Sequence, residues 1–154
     1  MTSLSYEEIF SDFLGNVGDY DFTSLNASDA YEIMTDYLQK SLKQSYVRDL
    51  FKSITYNNEI QSLSYELEDT IDEDRDKDFV IGVVSKAMVV EWFKPQVRNK
   101  KNIAQFFAGK EQKYYSQAAH ITELRGLLED VKLELRKEIR DRSSLHNSYI
   151  GGVQ

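Results

Sequence analysis

Asp72, Asp74, Asp76 and Asp78 alternate along the chain, the spacing at which a calcium loop presents carboxylate oxygens. The EF-hand version of that loop also needs a glycine at its sixth position, to turn the chain, and a bidentate glutamate at its twelfth. Counted from Asp72, those positions hold Lys77 and Val83. Arg75 and Lys77 sit within the cluster and repel a cation, so the run is read as an acidic cap on a following helix and no metal is expected. Acidic residues in a first turn complement the positive end of the helix dipole.

Other chemistry lacks its parts. His120 and Glu123 share a helix face at i and i+3, but two ligands do not close a zinc or di-metal site, and the only other histidine is His146. There is no cysteine and no Gly-Xaa-Ser-Xaa-Gly elbow to present a nucleophile. Gly15 and Gly18 have neither the lysine nor the helix that a phosphate cradle requires. The expectation is a protein without catalytic residues or cofactor.

The run RNKKNIAQFFAGKEQKYY is the remaining candidate surface. Arg98, Lys100, Lys101, Lys110 and Lys113 interleave with Phe106, Phe107, Tyr114 and Tyr115. Phosphate neutralisation combined with base stacking uses these residue types. So does a protein interface, whose core enriches Phe, Tyr and Arg. The chain as a whole is acidic, with a pI of about 4.9, which favours the protein contact. The plainer alternative places the aromatics in the core beneath a basic rim.

Helices must position that run. From Lys110 to Arg142 there is one glycine and no proline, and the apolar residues Ile121, Leu124, Leu128, Val131 and Leu135 are spaced 3, 4, 3, 4, the seam of a heptad. Such a helix is about 50 Å long. Before it, Phe79, Val80, Val83, Val84, Ala87, Met88, Val90, Trp92 and Phe93 predict a helix from about Asp74 to Lys94, apolar around most of its circumference and stopped by Pro95. It is the expected centre of the fold.

Upstream, Ser5 and Glu8 form a capping box for a short helix carrying Ile9, Phe10, Phe13 and Leu14. A turn-rich segment follows, anchored by Tyr20 and Phe22. Asn26 or Ser28 caps a second helix with Ala30, Ile33, Met34, Tyr37, Leu38 and Leu42 inward. Val47, Leu50, Phe51 and Ile54 predict another short helix. From Thr55 to Ile71, Ile60, Leu63, Leu67 and Ile71 recur with helical spacing while Leu63, Tyr65 and Leu67 alternate as in a strand; we read helix, with a hairpin as the competing reading. The expected fold is therefore all-α: a helical bundle over residues 1–142, with a flexible tail, 143–154, that bears Leu145, Tyr149 and Ile150.

The totals agree with one folded domain. Of 154 residues 41% are hydrophobic and 29% charged, the balance of a globular chain. Cysteine-free composition suits synthesis in a cytosol. MTSLSYEEIF lacks the basic and apolar regions of a signal peptide, and Glu91 interrupts the longest apolar run, so neither secretion nor membrane spanning is expected. The net charge of −7 is unevenly placed: residues 1–78 carry −12 and residues 79–154 carry +5. Those halves can satisfy each other within one subunit or between neighbours assembled head to tail.

At YVRDLF, VVEWFKPQV, FFAGKEQKYYSQAAHITELR, LRKEIRDR and NSYIGG the chain resembles a family of small proteins of tailed bacteriophages, virion structural components of the head-to-tail connector region. The resemblance implies a neck adaptor: a helical subunit, made in the host cytoplasm, that docks on the portal protein as a ring of about twelve copies and meets the next neck or tail component. It implies that DNA passes through the ring without specific binding. Arg98, Lys100, Lys101, Phe106, Phe107, Tyr114, Tyr115, Leu145, Tyr149 and Ile150 would then be interface residues. A tail completion protein, a tail assembly chaperone and a small phage regulator of a host protein or nucleic acid are the alternatives.

Overall fold

The structure, a computed structural model, describes the backbone of residues 1–17, 27–106 and 111–145, and their side chains except at 99–106, 111–118, 120, 144 and 145. It is mixed α/β and not the expected all-helical bundle. Among the described residues are five helices and three strands: β1 (Thr2–Ser5), α1 (Tyr6–Val17), α2 (Ala27–Lys43), α3 (Ser45–Arg48), β2 (Phe51–Asn57), β3 (Ser62–Leu67), α4 (Glu73–Phe106) and α5 (Glu111–Leu145).

The sheet is the correction. Its order is β1-β3-β2, antiparallel throughout, so Thr55 to Ile71 is largely a hairpin rather than a helix. Alternation won because one face is buried: Leu63, Tyr65 and Leu67 are 5% exposed or less, while Ile60, which the helical reading would place inward, is 72% exposed. Leu4 lies opposite Leu63 in β1, and Phe51 opposite Leu67 in β2. The other face is polar, with Ser3 opposite Ser64 and Ser5 opposite Ser62. The turn is local chemistry: Asn57 Oδ1 accepts from the amides of Glu59 (2.9 Å) and Ile60 (3.4 Å), and Gln61 turns the chain at φ 52°. A two-stranded hairpin is marginal alone; β1, four residues brought from the start of the chain, completes it.

The same sheet shortens α3. Phe51 and Ile54, expected on a helix, lie in β2, with a register irregularity between Phe51 and Ser53. The capping box forms as read, with the Glu8 amide donating to Ser5 Oγ at 3.4 Å and the Ser5 amide to Glu8 Oε2 at 3.3 Å. Along α2, Met34, Leu38 and Leu42 are buried and the other expected inward residues partly so. The anchoring roles of Tyr20 and Phe22 and the cap at Asn26 lie outside the described residues.

Helix α4 is the centre of the fold. Val80, Val83, Val84 and every residue from Ala87 to Phe93 are buried, each large apolar side chain contributing about 1.5–3 kcal/mol relative to exposure. Pro95 does not stop it. The helix runs on to Phe106 with the exposed Pro95 inside it: the missing amide costs one backbone hydrogen bond, which the packing of the buried run before it offsets.

Helix α1 runs beside α4 in the same sense, tied by Lys77 to Glu8 (2.7 Å) near its start and by Ser85 Oγ donating to Asp12 further on. Phe10 meets Tyr31 and Phe13 meets Tyr37, which sets α2 on α1. On another side α5 returns antiparallel to α4, with Ile121, Leu124, Leu128 and Leu135 buried along the expected seam. It extends three residues past the expected end at Arg142, to Leu145.

Candidate functional site

Two polar positions continue the α5 seam. Six steps of 3.5 residues from Ile121 lead to Arg142, and the step before it is Glu138. Both face α4. Lys86 Nζ donates to Glu138 Oε2 at 2.6 Å, and Gly82 lies beneath the same carboxylate, where an added Cβ would come within 2.8 Å of Glu138 Oε1. Arg142, 7% exposed, donates to Asp76 and to the Asp69 carbonyl (2.9 Å) while its guanidinium lies 4.7 Å from the centre of the Phe79 ring.

The acidic cluster is thereby divided. Asp72 accepts from the Arg75 amide (2.8 Å) and pairs with Arg75 at the surface, the capping role expected of it. Asp76 is buried, accepting from the Ile71 amide at 3.0 Å and from Arg142. Nearby burial raises the Tyr65 phenol above its ordinary pKa, with Asp76 adding to the effect. Among the described residues no group of three or more His, Asp or Glu side chains could hold a metal. None of their helices is long and apolar enough to cross a membrane.

With α4 and α5 clasped at that end, the hairpin carries the candidate interface at its other end. Arg98 is exposed. Lys100, Lys101 and Phe106 lie on the last turns of α4, and Tyr114 and Tyr115 on the first turns of α5, so antiparallel pairing gathers these residues at one end. The polar ties to α4 from α1 and from Gln44, which leads into α3, run from Lys77 through Ser85 to Glu91, which accepts from Gln44 at 3.0 Å. Beyond Glu91, α4 continues for about 20 Å to Phe106.

The structure does not bring Leu145 to that end. It closes α5, about 45 Å along the helix from Tyr115. Phe107, Tyr149 and Ile150 lie outside the described residues.

A feature absent from the sequence reading lies between the clasp and the basic end. A groove of about 820 Å³ opens between the end of α1, the middle of α4 and the middle of α5. Val17, Val89, Trp92, Phe93, Leu124 and Val131 give it apolar walls, and Glu123, Asp130 and Glu134 make its α5 rim acidic. Lys86, the one cation among the described residues that line it, is paired with Glu138. Leu127, also on the rim, remains 45% exposed. In sequence the only sign is that Leu127 is apolar one position away from the seam.

Comparisons with protein-family models, with curated proteins and with solved structures found no match for this chain. Fold and surface therefore define its class: a mixed α/β domain with a long helical hairpin that carries a basic, aromatic end.

Proposed function

We propose that this chain is a non-enzymatic structural subunit of a tailed-phage virion, a neck adaptor between portal and tail. The observation that carries the reading is the α4–α5 hairpin, two helices of 34 and 35 residues whose far end collects Arg98, Lys100, Lys101, Phe106, Tyr114 and Tyr115. A helical pair clasped at one end by the buried Arg142–Asp76 pair and the half-buried Lys86–Glu138 pair, with arginine, lysine and aromatics in sequence at the other, suits an assembly contact, because such residues combine apolar area with charge-assisted hydrogen bonds. The resemblance of the chain to phage connector proteins supplies the setting. Acidic surface elsewhere on the subunit suits a passage through which DNA moves without being held.

Native mass spectrometry of the purified chain, alone and with the portal ring of the same phage, tests the reading. Binding of about twelve copies per portal is the expected result. No binding refutes the adaptor role. Presence in the assembling particle but absence from finished virions would identify an assembly chaperone instead.

A further inference from the structure

The sheet has two outer edges, and they are not alike. β1 is four residues long, and its Ser5 amide already donates to Glu8 Oε2 at 3.3 Å. β2 is seven residues long. Lys52 and the register irregularity beside it guard one end of that edge, but from Ser53 to Asn57 there is no charge, proline or glycine to discourage another strand.

Two backbone hydrogen bonds fix which groups of β2 point outward. The Tyr6 amide donates to the Gln61 carbonyl at 2.9 Å, and the Glu68 amide to the Leu50 carbonyl at 3.0 Å. Backbone groups along an antiparallel strand turn to alternate sides, so Leu63 and Tyr65 bond with β1 while Ser62, Ser64 and Glu66 bond with β2. The β2 residues opposite those three are Asn57, Thr55 and Ser53. Ile54 and Tyr56 therefore aim their N–H and C=O groups at the free edge. Among the described residues no hydrogen bond from outside the sheet reaches them. The Phe51 carbonyl, turned the same way, is instead capped by Arg48 Nη1 at 3.3 Å.

Their side chains tell the same story. Ile54 lies opposite Tyr65 and Tyr56 opposite Leu63, so both belong to the core-side face of the sheet. Leu63 and Tyr65 are buried, yet Ile54 is only partly covered and Tyr56 is 43% exposed. Core face and backbone ladder thus both stop short at β2.

We infer that β2 pairs antiparallel with β2 of a second copy about a two-fold axis at Thr55, joining two three-stranded sheets into one. In this register Ile54 of each copy bonds with Tyr56 of the other, so both outward-facing residues of both copies are satisfied. Centred on Ile54 the pairing would set Tyr56 against the irregular Lys52, and centred on Tyr56 it would set Ile54 against Asn58 in the turn. The Thr55 register also opposes a β-branched residue to an aromatic on the core-side face and Thr55 to Thr55 on the polar face, both favourable cross-strand pairs. It lays the hairpin turn of each copy, with Ile60 72% exposed, beside the α3 end of the other, with Tyr46 39% exposed, which brings further apolar surface to the contact. The inference stands apart from the adaptor reading, since a two-fold pair neither builds nor requires a ring.

Sedimentation velocity of the full chain, without the portal, should show a monomer giving way to a dimer as concentration rises. Salt should not dissolve the dimer, because the paired stretch is uncharged and two copies of net charge −7 repel one another less when screened. Tyr56→Pro removes an amide that faces the edge and no ladder bond within the subunit, so it should keep the wild-type circular dichroism and weaken association by roughly tenfold or more. Tyr56→Ala, which keeps the amide, should weaken it less.

Because the chain has no cysteine, a single substitution reads the register even where proline is not tolerated. Thr55 meets its own counterpart in a non-hydrogen-bonded pair, with Cα atoms about 4.5 Å apart, within reach of a disulfide. Thr55→Cys should therefore form a disulfide-linked dimer on mild oxidation. Asn57→Cys, exposed on the same face, lies about 14 Å from its counterpart in this register and should not. A wild-type chain that stays monomeric at every concentration, with no link through Thr55→Cys, overturns the inference and leaves the edge to an extended segment of another protein. Equal linking at the two positions overturns it as well, as does a dimer that salt dissolves or that a folded Tyr56→Pro chain forms unimpaired.

Discussion

Arg142, in the last turn of α5, is buried against Asp76, in the first turn of α4, 66 residues away in sequence. The pair closes the hairpin at the end opposite its basic tip. Asp76 is also held by the Ile71 amide, and Arg142 by the Asp69 carbonyl and the face of Phe79. Each charge thus keeps several partners, as burial demands.

Truncating Arg142 should therefore cost more than a surface ion pair. Arg142→Ala leaves Asp76 buried without its counter-charge and is expected to lower the unfolding free energy by on the order of 3 kcal/mol. Arg142→Lys should recover only part of this, because an ammonium cannot span the carboxylate, the carbonyl and the ring together. Urea unfolding of both variants measures the difference. A loss below about 1 kcal/mol for the alanine variant, the range of an exposed pair, would show that the clasp does not hold the hairpin.

Alkaline pH should destabilise the protein through Tyr6. Burial pushes its phenol from an ordinary 10.0 up to about 12, and the hydroxyl donates to Asn58 Oδ1 at 2.7 Å. Below pH 10 the phenol is neutral in both folded and unfolded chains, so its contribution is complete. As pH rises from 10 to 12 the unfolded chain ionises first, and stability falls. Tyr6→Phe should cost about 1 kcal/mol at neutral pH by losing the hydrogen bond and should flatten part of that alkaline decline. Tyr31, Tyr46 and Tyr65, whose phenols burial also raises, contribute to what remains. Denaturant midpoints between pH 8 and 12 give the comparison.

Gly126 is an exposed position inside α5, and nothing lies within 4 Å of where a side chain would begin. Gly126→Ala should stabilise the chain by about 0.5–1 kcal/mol through helix propensity alone, read as a higher urea midpoint. Gly82 is the contrasting case. Its added methyl would meet the Glu138 carboxylate at 2.8 Å, so Gly82→Ala must displace the side chain that binds Lys86 and should gain nothing.

At the hairpin turn, Gln61 holds a left-handed conformation that costs a side-chain-bearing residue about 1–2 kcal/mol. Gln61→Gly should raise stability by about 0.5–1 kcal/mol once the greater freedom of glycine in the unfolded chain is subtracted. Thermal melts of the two proteins would register the gain as a higher Tm.

Local pattern alone announced α1, α2, α5 and the first part of α4. The heptad spacing of Ile121, Leu124, Leu128, Val131 and Leu135 announces α5, the apolar run from Phe79 to Phe93 announces the central helix, and Ser5 with Glu8 announces the start of α1, because each signal is complete within a few turns of chain. The basic and aromatic run from Arg98 to Tyr115 was legible as composition because it is contiguous in sequence; that α4 runs on through much of it to Phe106 was not.

Tertiary structure alone decided the rest. Whether Leu63, Tyr65 and Leu67 form a strand depends on Leu4 arriving from the start of the chain to cover the hairpin, a pairing across 59 residues that no local period encodes. Pro95 lies inside α4 rather than ending it because the packing of the run before it outweighs one lost backbone bond, and packing is a property of the folded molecule. Asp76 resembles its acidic neighbours in sequence and differs only because Arg142 reaches it. The groove, formed where α1, α4 and α5 come together, has no existence along the chain at all.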